Sequence, residues 1–311
     1  MGRRYDRRKT VTAQSFDKVC VLGAGYMGQV ISLRFACVGG LSVAVYDNAQ
    51  SSLDAAPALQ THVGETMVAM GNITREQFDV GRGRISFTMN AAEAAAEADV
   101  LSESVPDVLE LKQRVHADFE KLLPSAALMT SNSSYLKGSD ISKYVRDKSR
   151  YCNYHFNGFG GSLVDVMPVP ETSVETIDAI RALSVRIGEK PLVLTKEKAG
   201  YIYNSVLGDA LLSAINLVVE GYADPETVDR ACMTALPIPF GPFGVIDFCG
   251  LDILNGALQN YARERNDISP EKVAAFFKPY LAEGKRGLKS GEGIYTHPNP
   301  AYTVAGFLEP R

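Results

Sequence analysis

The sequence predicts an α/β protein in which a doubly wound sheet, interrupted by a helical-hairpin insertion, precedes an all-α domain. Short aliphatic runs alternate with helical patterns as far as Thr195, a glycine-rich turn follows the first run, and beyond Thr195 strand-like runs cease while helix signals continue.

The runs KVCVLG, SVAVYD, GRISFT, ADVLSES, SAALMTSN, RYCNYHF, SLVDVM and KPLVLT are short β-branched or aliphatic stretches that alternate with helical ones, as the strands of a doubly wound sheet do. Between the second and third, residues 51–82 show helical spacing at Leu53, Leu59, Val63, Met67, Met70 and Phe78, with a turn at Gly71 and Asn72. That segment reads as a helical hairpin inserted into the sheet domain. One long amphipathic helix is expected from Ala199 to Tyr222, followed by shorter ones starting near Asp224, Pro242 and Ser269. Asp224 and Ser269 are N-caps, since each stands directly before a proline suited to the first helical position. The expected organisation is a flexible tail over 1–14, a dinucleotide-binding domain over 15–197 and a helical domain over 198–311.

At 311 residues the chain exceeds the ~250 that one core serves well, which agrees with two domains. Hydrophobic residues at 46% against 22% charged supply enough apolar surface to offset chain entropy, so most of the chain is expected to fold. Thirty-two basic residues against 36 acidic ones leave a net charge of -4, so no surface built for nucleic-acid phosphates is expected. The five cysteines (Cys20, Cys37, Cys152, Cys232, Cys249) are odd in number, lack CxxC spacing and lie in apolar stretches, as reduced thiols of a cytoplasmic protein do. MGRRYDRRKT is not followed by the apolar stretch of a secretory signal, and no run of ~18 apolar residues suggests a membrane span. No His/Cys/Asp cluster has metal-ligand spacing, so no metal is expected.

The strongest local signal is VCVLGAGYMG, in which an apolar strand runs into Gly23-Ala24-Gly25-Tyr26-Met27-Gly28 and then a helix. This is the arrangement of a Rossmann phosphate-binding turn. Gly23 permits the tight turn, Gly25 lets the backbone approach a pyrophosphate, and Gly28 lets helix and strand pack closely. Unpaired N–H groups at the helix start then meet the negative charge. About twenty residues on, the strand LSVAVYDN ends in Asp47, whose carboxylate would accept the adenosine ribose hydroxyls and repel a 2′-phosphate, favouring NAD over NADP. The alternative reading of Asp47 is a cap for the next helix.

Hydride transfer between NAD and an alcohol needs a base for the hydroxyl proton, and histidine has a suitable pKa. Of four histidines, His62 and His116 fall in helical patterns and His297 near the C-terminal end, whereas His155 ends a strand ahead of NGFGG. Asp165, in the next strand, is placed to accept the imidazole N–H and stabilise the imidazolium. A histidine beside a strand also occurs as a purely structural residue. Ser134, in the loop after SAALMTSN, should lie at the ligand crevice.

Taken together, Gly23-x-Gly25-x-x-Gly28, the strand ending in Asp47, SESVPDVLELK, TSNSS, the His155 and Asp165 segment, GYIYN and GPFGVIDFCGLD closely resemble the 3-hydroxyacyl-CoA dehydrogenase family, in order and from about Asp17 to Tyr295. The resemblance implies that Gly23, Gly25, Tyr26, Met27, Gly28, Asp47, Asp107, Lys112 and Ser134 contact NAD. His155 matches the catalytic histidine and Asp165 its acidic partner, while Ser134 and Asn204 match polar residues that hold the substrate and the nicotinamide end. Glu103 lies on the same strand end as the cofactor residues. The implied partner is a small-molecule substrate, and the helical domain implies a homodimer.

Two departures bear on the substrate. The family's acid is usually glutamate, one methylene longer than Asp165, and its FNPVP-like loop is replaced here by a shorter FNGFGG. Those glycines either form a flexible loop or open room for a different substrate. The expected reaction is oxidation of a 3-hydroxyacyl-CoA, such as 3-hydroxybutyryl-CoA, to the 3-ketoacyl-CoA, or its reverse. The alternatives are a non-CoA 3-hydroxy acid (gulonate- or carnitine-like), a carrier-bound 3-hydroxyacyl group, or a non-catalytic NAD-binding protein. For Phe243, Asp247 and Asp252 a packing role is as good a reading as a functional one.

Overall fold

The computed structural model describes residues 16–157, 162–264 and 268–309; the expected tail over 1–14 and the glycine stretch 158–161 lie outside the described residues. The chain divides into two compact units, Met1–Ile202 and Tyr203–Arg311. No described helix is long and apolar enough to cross a membrane.

All eight aliphatic runs form strands of one sheet: β1 (Lys18–Leu22), β2 (Ser42–Tyr46), β3 (Ile85–Thr88), β4 (Val100–Glu103), β5 (Leu128–Ser131), β6 (Tyr151–Phe156), β7 (Leu163–Pro168) and β8 (Lys190–Val193). Their order is β3-β2-β1-β4-β5-β6-β7-β8, parallel at every pairing except the antiparallel β6–β7. After β3 the chain returns to the other side of β1, so the crevice between β1 and β4 is the topological switch point where ligands bind in such sheets.

The unit also contains α1 (Tyr26–Leu33), α2 (Gln50–Ala69), α3 (Arg75–Gly81), α4 (Ala91–Ala95), α5 (Leu109–Phe119), α6 (Gly138–Ile141) and α7 (Val174–Arg186). Both faces of β1 are buried: Val19 and Val21 join the core that includes Ile31 and Ile180, whereas Cys20 and Leu22 join the one that includes Ala94 and Phe119. This two-sided burial is why the strand lacks polar alternation.

The insertion is the pair α2 and α3, turned at Gly71 (φ +71°), with Thr74 and Gln77 forming a reciprocal capping box at the start of α3. Leu53, Val63, Met67 and Phe78 are buried as expected, and Leu59 packs against their cluster. Met70 instead is 48% exposed, because it follows the last turn of α2 as the C-cap.

The second unit comprises α8 (Tyr203–Val219), α9 (Pro225–Ala235), α10 (Pro242–Cys249), α11 (Leu251–Glu264) and α12 (Pro270–Ala282). Asp224 and Ser269 are N-caps that accept from Thr227 N and Lys272 N, and α10 opens on Pro242, all as expected. The long helix does not start at Ala199. Gly200 and Tyr201 have φ of +76° and +53°, which a right-handed helix cannot contain, and α8 starts two residues later. Gly221 (φ +76°) follows its other end.

Two buried carboxylates organise this unit. Asp229 accepts from the N–H groups of Phe243 and Gly244 at the start of α10 and from the Tyr295 hydroxyl. Asp247 accepts from Ile294 N, Tyr295 N and His297 Nε2, fastening the closing KSGEGIY segment. A Cβ on Gly293 would lie 2.3 Å from Asp247 Oδ1, which explains the glycine there. Phe243 is fully buried and Asp252 pairs with Lys289 Nζ at 2.6 Å, so the observed contacts of all three ambiguous residues are packing contacts.

Candidate active site

The glycine turn joins β1 to α1 at the crevice. Gly23 has φ +101°, donates its N–H to Tyr46 O, and a Cβ there would meet Ser104 O at 2.8 Å. At Gly28 a Cβ would meet Gly23 O at 1.9 Å, so strand-to-helix closeness depends on the missing side chain. Gly25 differs: it is the N-cap of α1, no side chain caps the helix, and a Cβ would meet nothing within 4 Å. Open space before an uncapped helix start is what a phosphate needs. Tyr26 is half exposed, and Met27 packs partly against the core.

Asp47, just past β2, accepts from Ala24 N at 2.9 Å and from Ala49 N at 3.0 Å. Its carboxylate therefore braces the glycine turn and leads into α2, and each oxygen keeps a lone pair for a further donor. The glycine turn, the uncapped α1 and Asp47 together fit a dinucleotide.

Beside this turn, the end of β4 carries a buried ionic cluster. Lys112 on α5 is 1% exposed, and its ammonium meets Glu103 Oε1 at 2.6 Å, Val105 O at 2.9 Å and Asp107 Oδ1 at 3.2 Å. Its three donors thus have three acceptors. Glu103 also accepts from Val105 N and the Ser131 hydroxyl, and exposed Asp107 accepts from Ser134 N at 3.1 Å. Lys112 and Glu103 hold the β4 and β5 ends together, which leaves Asp107 and Ser134 as the exposed members.

On β6, His155 is 4% exposed and pairs in register with Asp165 on β7. Nδ1 of His155 lies 3.4 Å from Asp165 Oδ2, and the same oxygen accepts from Asn157 Nδ2 at 3.0 Å. The Tyr201 ring stacks on the imidazole. Asn132 Oδ1 accepts from Phe156 N, which ties the serine segment of β5 to the strand of His155. Asn204, on the first turn of α8, is half-buried in the second unit.

A pocket is lined by Tyr26, Met67, Arg34, Asn157 and Glu189, among others. Arg34 begins a π-helical turn after α1 and pairs with Glu189 at 2.9 Å, both nearly buried. Sequence reasoning missed Asn132, Asn153, Asn157 and Tyr201. For Asn153 a signal existed, because it stands two residues before His155 in YCNYHF and so shares a strand face with it.

A doubly wound sheet with an open glycine turn, a carboxylate at the second strand end and a paired histidine defines a dinucleotide-dependent oxidoreductase. Residues 18–198 match the family model described as 3-hydroxyacyl-CoA dehydrogenase, NAD binding domain, and residues 200–297 match 3-hydroxyacyl-CoA dehydrogenase, C-terminal domain. The chain belongs to the 3-hydroxyacyl-CoA dehydrogenase family; it is an NAD-dependent oxidoreductase of CH–OH groups. It is 28% identical to 5-formyl-3-hydroxy-2-methylpyridine 4-carboxylate 5-dehydrogenase of Mesorhizobium japonicum, over 92% of each chain. It is 26% identical to 3-hydroxybutyryl-CoA dehydrogenase of Mycobacterium tuberculosis, over 92% of this chain and all of the relative. A solved structure described as substrate-directed dual catalysis of dicarbonyl compounds by diketoreductase is 29% identical, with a TM-score of 0.80 over 91% of this chain and 100% of that one.

Proposed function

We propose that the chain oxidises a 3-hydroxyacyl-CoA to the 3-ketoacyl-CoA, or catalyses the reverse, with 3-hydroxybutyryl-CoA the first substrate to examine. The observation that carries this reading is the His155–Asp165 pair, with Nδ1 directed at the carboxylate. With the Nδ1 proton held there, Nε2 is left free to take the hydroxyl proton, and Asp165 stabilises the imidazolium that forms. NAD, held by Gly23, Gly25, Tyr26, Met27, Gly28 and Asp47, supplies the hydride acceptor when bound. Asp107 and Ser134 are assigned to the cofactor side and Lys112 to bracing them. The family resemblance assigns Ser134 and Asn204 to substrate contact.

A second reading, a dehydrogenase of a non-CoA or carrier-bound hydroxy compound, is supported by the glycines at 158–161, where the chain departs from the family loop. The names of the Mesorhizobium relative and the diketoreductase also point away from CoA thioesters. NADH formation followed at 340 nm with 3-hydroxybutyryl-CoA beside free 3-hydroxy acids separates the two. Turnover of free acids with none of any thioester would reject the first reading.

We assign the helical unit a homodimer contact, supported by exposed Val206, Leu217 and Val219 on α8 and Ile253 on α11. A monomeric mass by light scattering would reject it.

A further inference from the structure

The ring of Tyr201 lies flat on the imidazole of His155, with centroids 4.6 Å apart and planes 10° from parallel. Tyr201 is 1% exposed and has φ +53°, a left-handed conformation that a residue with a side chain keeps only where its surroundings hold it. Those surroundings are visible. Its hydroxyl donates to the Ser133 carbonyl and accepts from Asn153 Nδ2 at 3.0 Å. Burial pushes the phenol well above its usual range, so the hydroxyl stays protonated as a donor.

One side chain therefore touches the imidazole, the strand that carries it and the serine turn ending in Ser134. Asp165 alone reaches His155 at one edge and at 3.4 Å, and a single edge contact defines a direction without fixing the ring plane. Stacking fixes the plane.

We propose that Tyr201 is a positioning residue for His155, fixing the imidazole plane through its ring and the Ser133 turn through its hydroxyl. This rests on the reading of His155 as the base. The titratable and charged groups that interact with the pair are Asp165 on β7, Asp107, and buried Tyr151 and Cys152 on β6. The variants below leave all of them in place.

The test compares Tyr201→Leu, Tyr201→Phe and His155→Ala in the full chain with NAD and the best substrate from the panel. Leucine keeps apolar cover but has no aromatic face. In Tyr201→Leu, kcat is expected to fall tenfold or more at an unchanged KM for NAD. Tyr201→Phe keeps the stack, so its kcat returns to within a few-fold of the parent. A Tyr201→Leu enzyme with parental kcat, beside an inactive His155→Ala, overturns the role of Tyr201 while the base assignment stands. An active His155→Ala overturns the base assignment itself, and this role with it. NAD titration by fluorescence checks folding; should the leucine variant fail it, Tyr201→Met takes its place with the same expected and overturning results.

Discussion

Asp165 presents one oxygen, Oδ2, to His155 Nδ1 and to Asn157 Nδ2, at 3.4 Å and 3.0 Å, across the antiparallel β6–β7 pairing. The register His155↔Asp165 makes them direct cross-strand neighbours, so the pairing follows from the fold without a long side chain. An aspartate therefore reaches this imidazole without the extra methylene of a glutamate. Asp165→Asn keeps the shape and an acceptor for Asn157 but loses the charge that stabilises an imidazolium. Its kcat should fall by roughly 10²-fold or more, with little change in melting temperature. A kcat within a few-fold of the parent, in steady-state assays with the preferred substrate, would sink the paired-base mechanism.

The glycines of the turn separate into Gly23 and Gly28, where a side chain would clash, and Gly25, where it would meet open space. A methyl at Gly28 would collide with the Gly23 carbonyl at 1.9 Å, so Gly28→Ala is expected to melt well below the parent or fail to fold. Gly25→Ala meets nothing within 4 Å and should leave the melting temperature unchanged. Because that open space is where a pyrophosphate would lie, the same change should weaken NAD binding tenfold or more in a fluorescence titration. Parental NAD affinity in Gly25→Ala would mean that the dinucleotide lies elsewhere.

Lys112 is 1% exposed and faces fully buried Glu103 at 2.6 Å. Removing one partner of such a pair leaves an uncompensated charge in the interior, which typically costs about 3–5 kcal/mol. Lys112→Met should show a loss of that order in urea unfolding, and adding Glu103→Gln should recover part of it. If Lys112→Met unfolds like the parent and only NAD affinity changes, Lys112 is a cofactor contact and not a brace.

Much of the sheet could be read in advance because strands buried on both faces are continuous apolar runs, as β1 and β2 are, whereas the edge strands β3 and β8 are only partly buried. Asp224 and Ser269 could be read as caps because a proline follows each. The start of α8 could not. Nothing in AGYIYN announces that Tyr201 takes a positive φ, since the cause is its stacking on His155 and its bond to Ser133, both far away in the chain. The burial of Lys112 could not be read in advance either. A lysine in an amphipathic helix is normally solvated, and only the packing of α5 against the β4 end turns it inward.

The Arg34–Glu189 pair tests the electrostatics of the pocket beside α1. Burial pushes the Glu189 carboxyl up to about 7, against the opposing pull of the Arg34 guanidinium. In the unfolded chain the same group titrates near ~4.3. Between these values the folded state holds a proton that the unfolded state has released, so this group's contribution to stability is full below the unfolded value and is lost as pH rises through about 7. The slope from one group is at most ~1.4 kcal/mol per pH unit. Glu189→Gln removes that titration and leaves every other carboxylate in place. The stability of Glu189→Gln relative to the parent should therefore rise between pH 5 and pH 8 in urea unfolding. A difference that stays constant across that range would mean that Glu189 is ionised throughout, with Arg34 fully offsetting its burial.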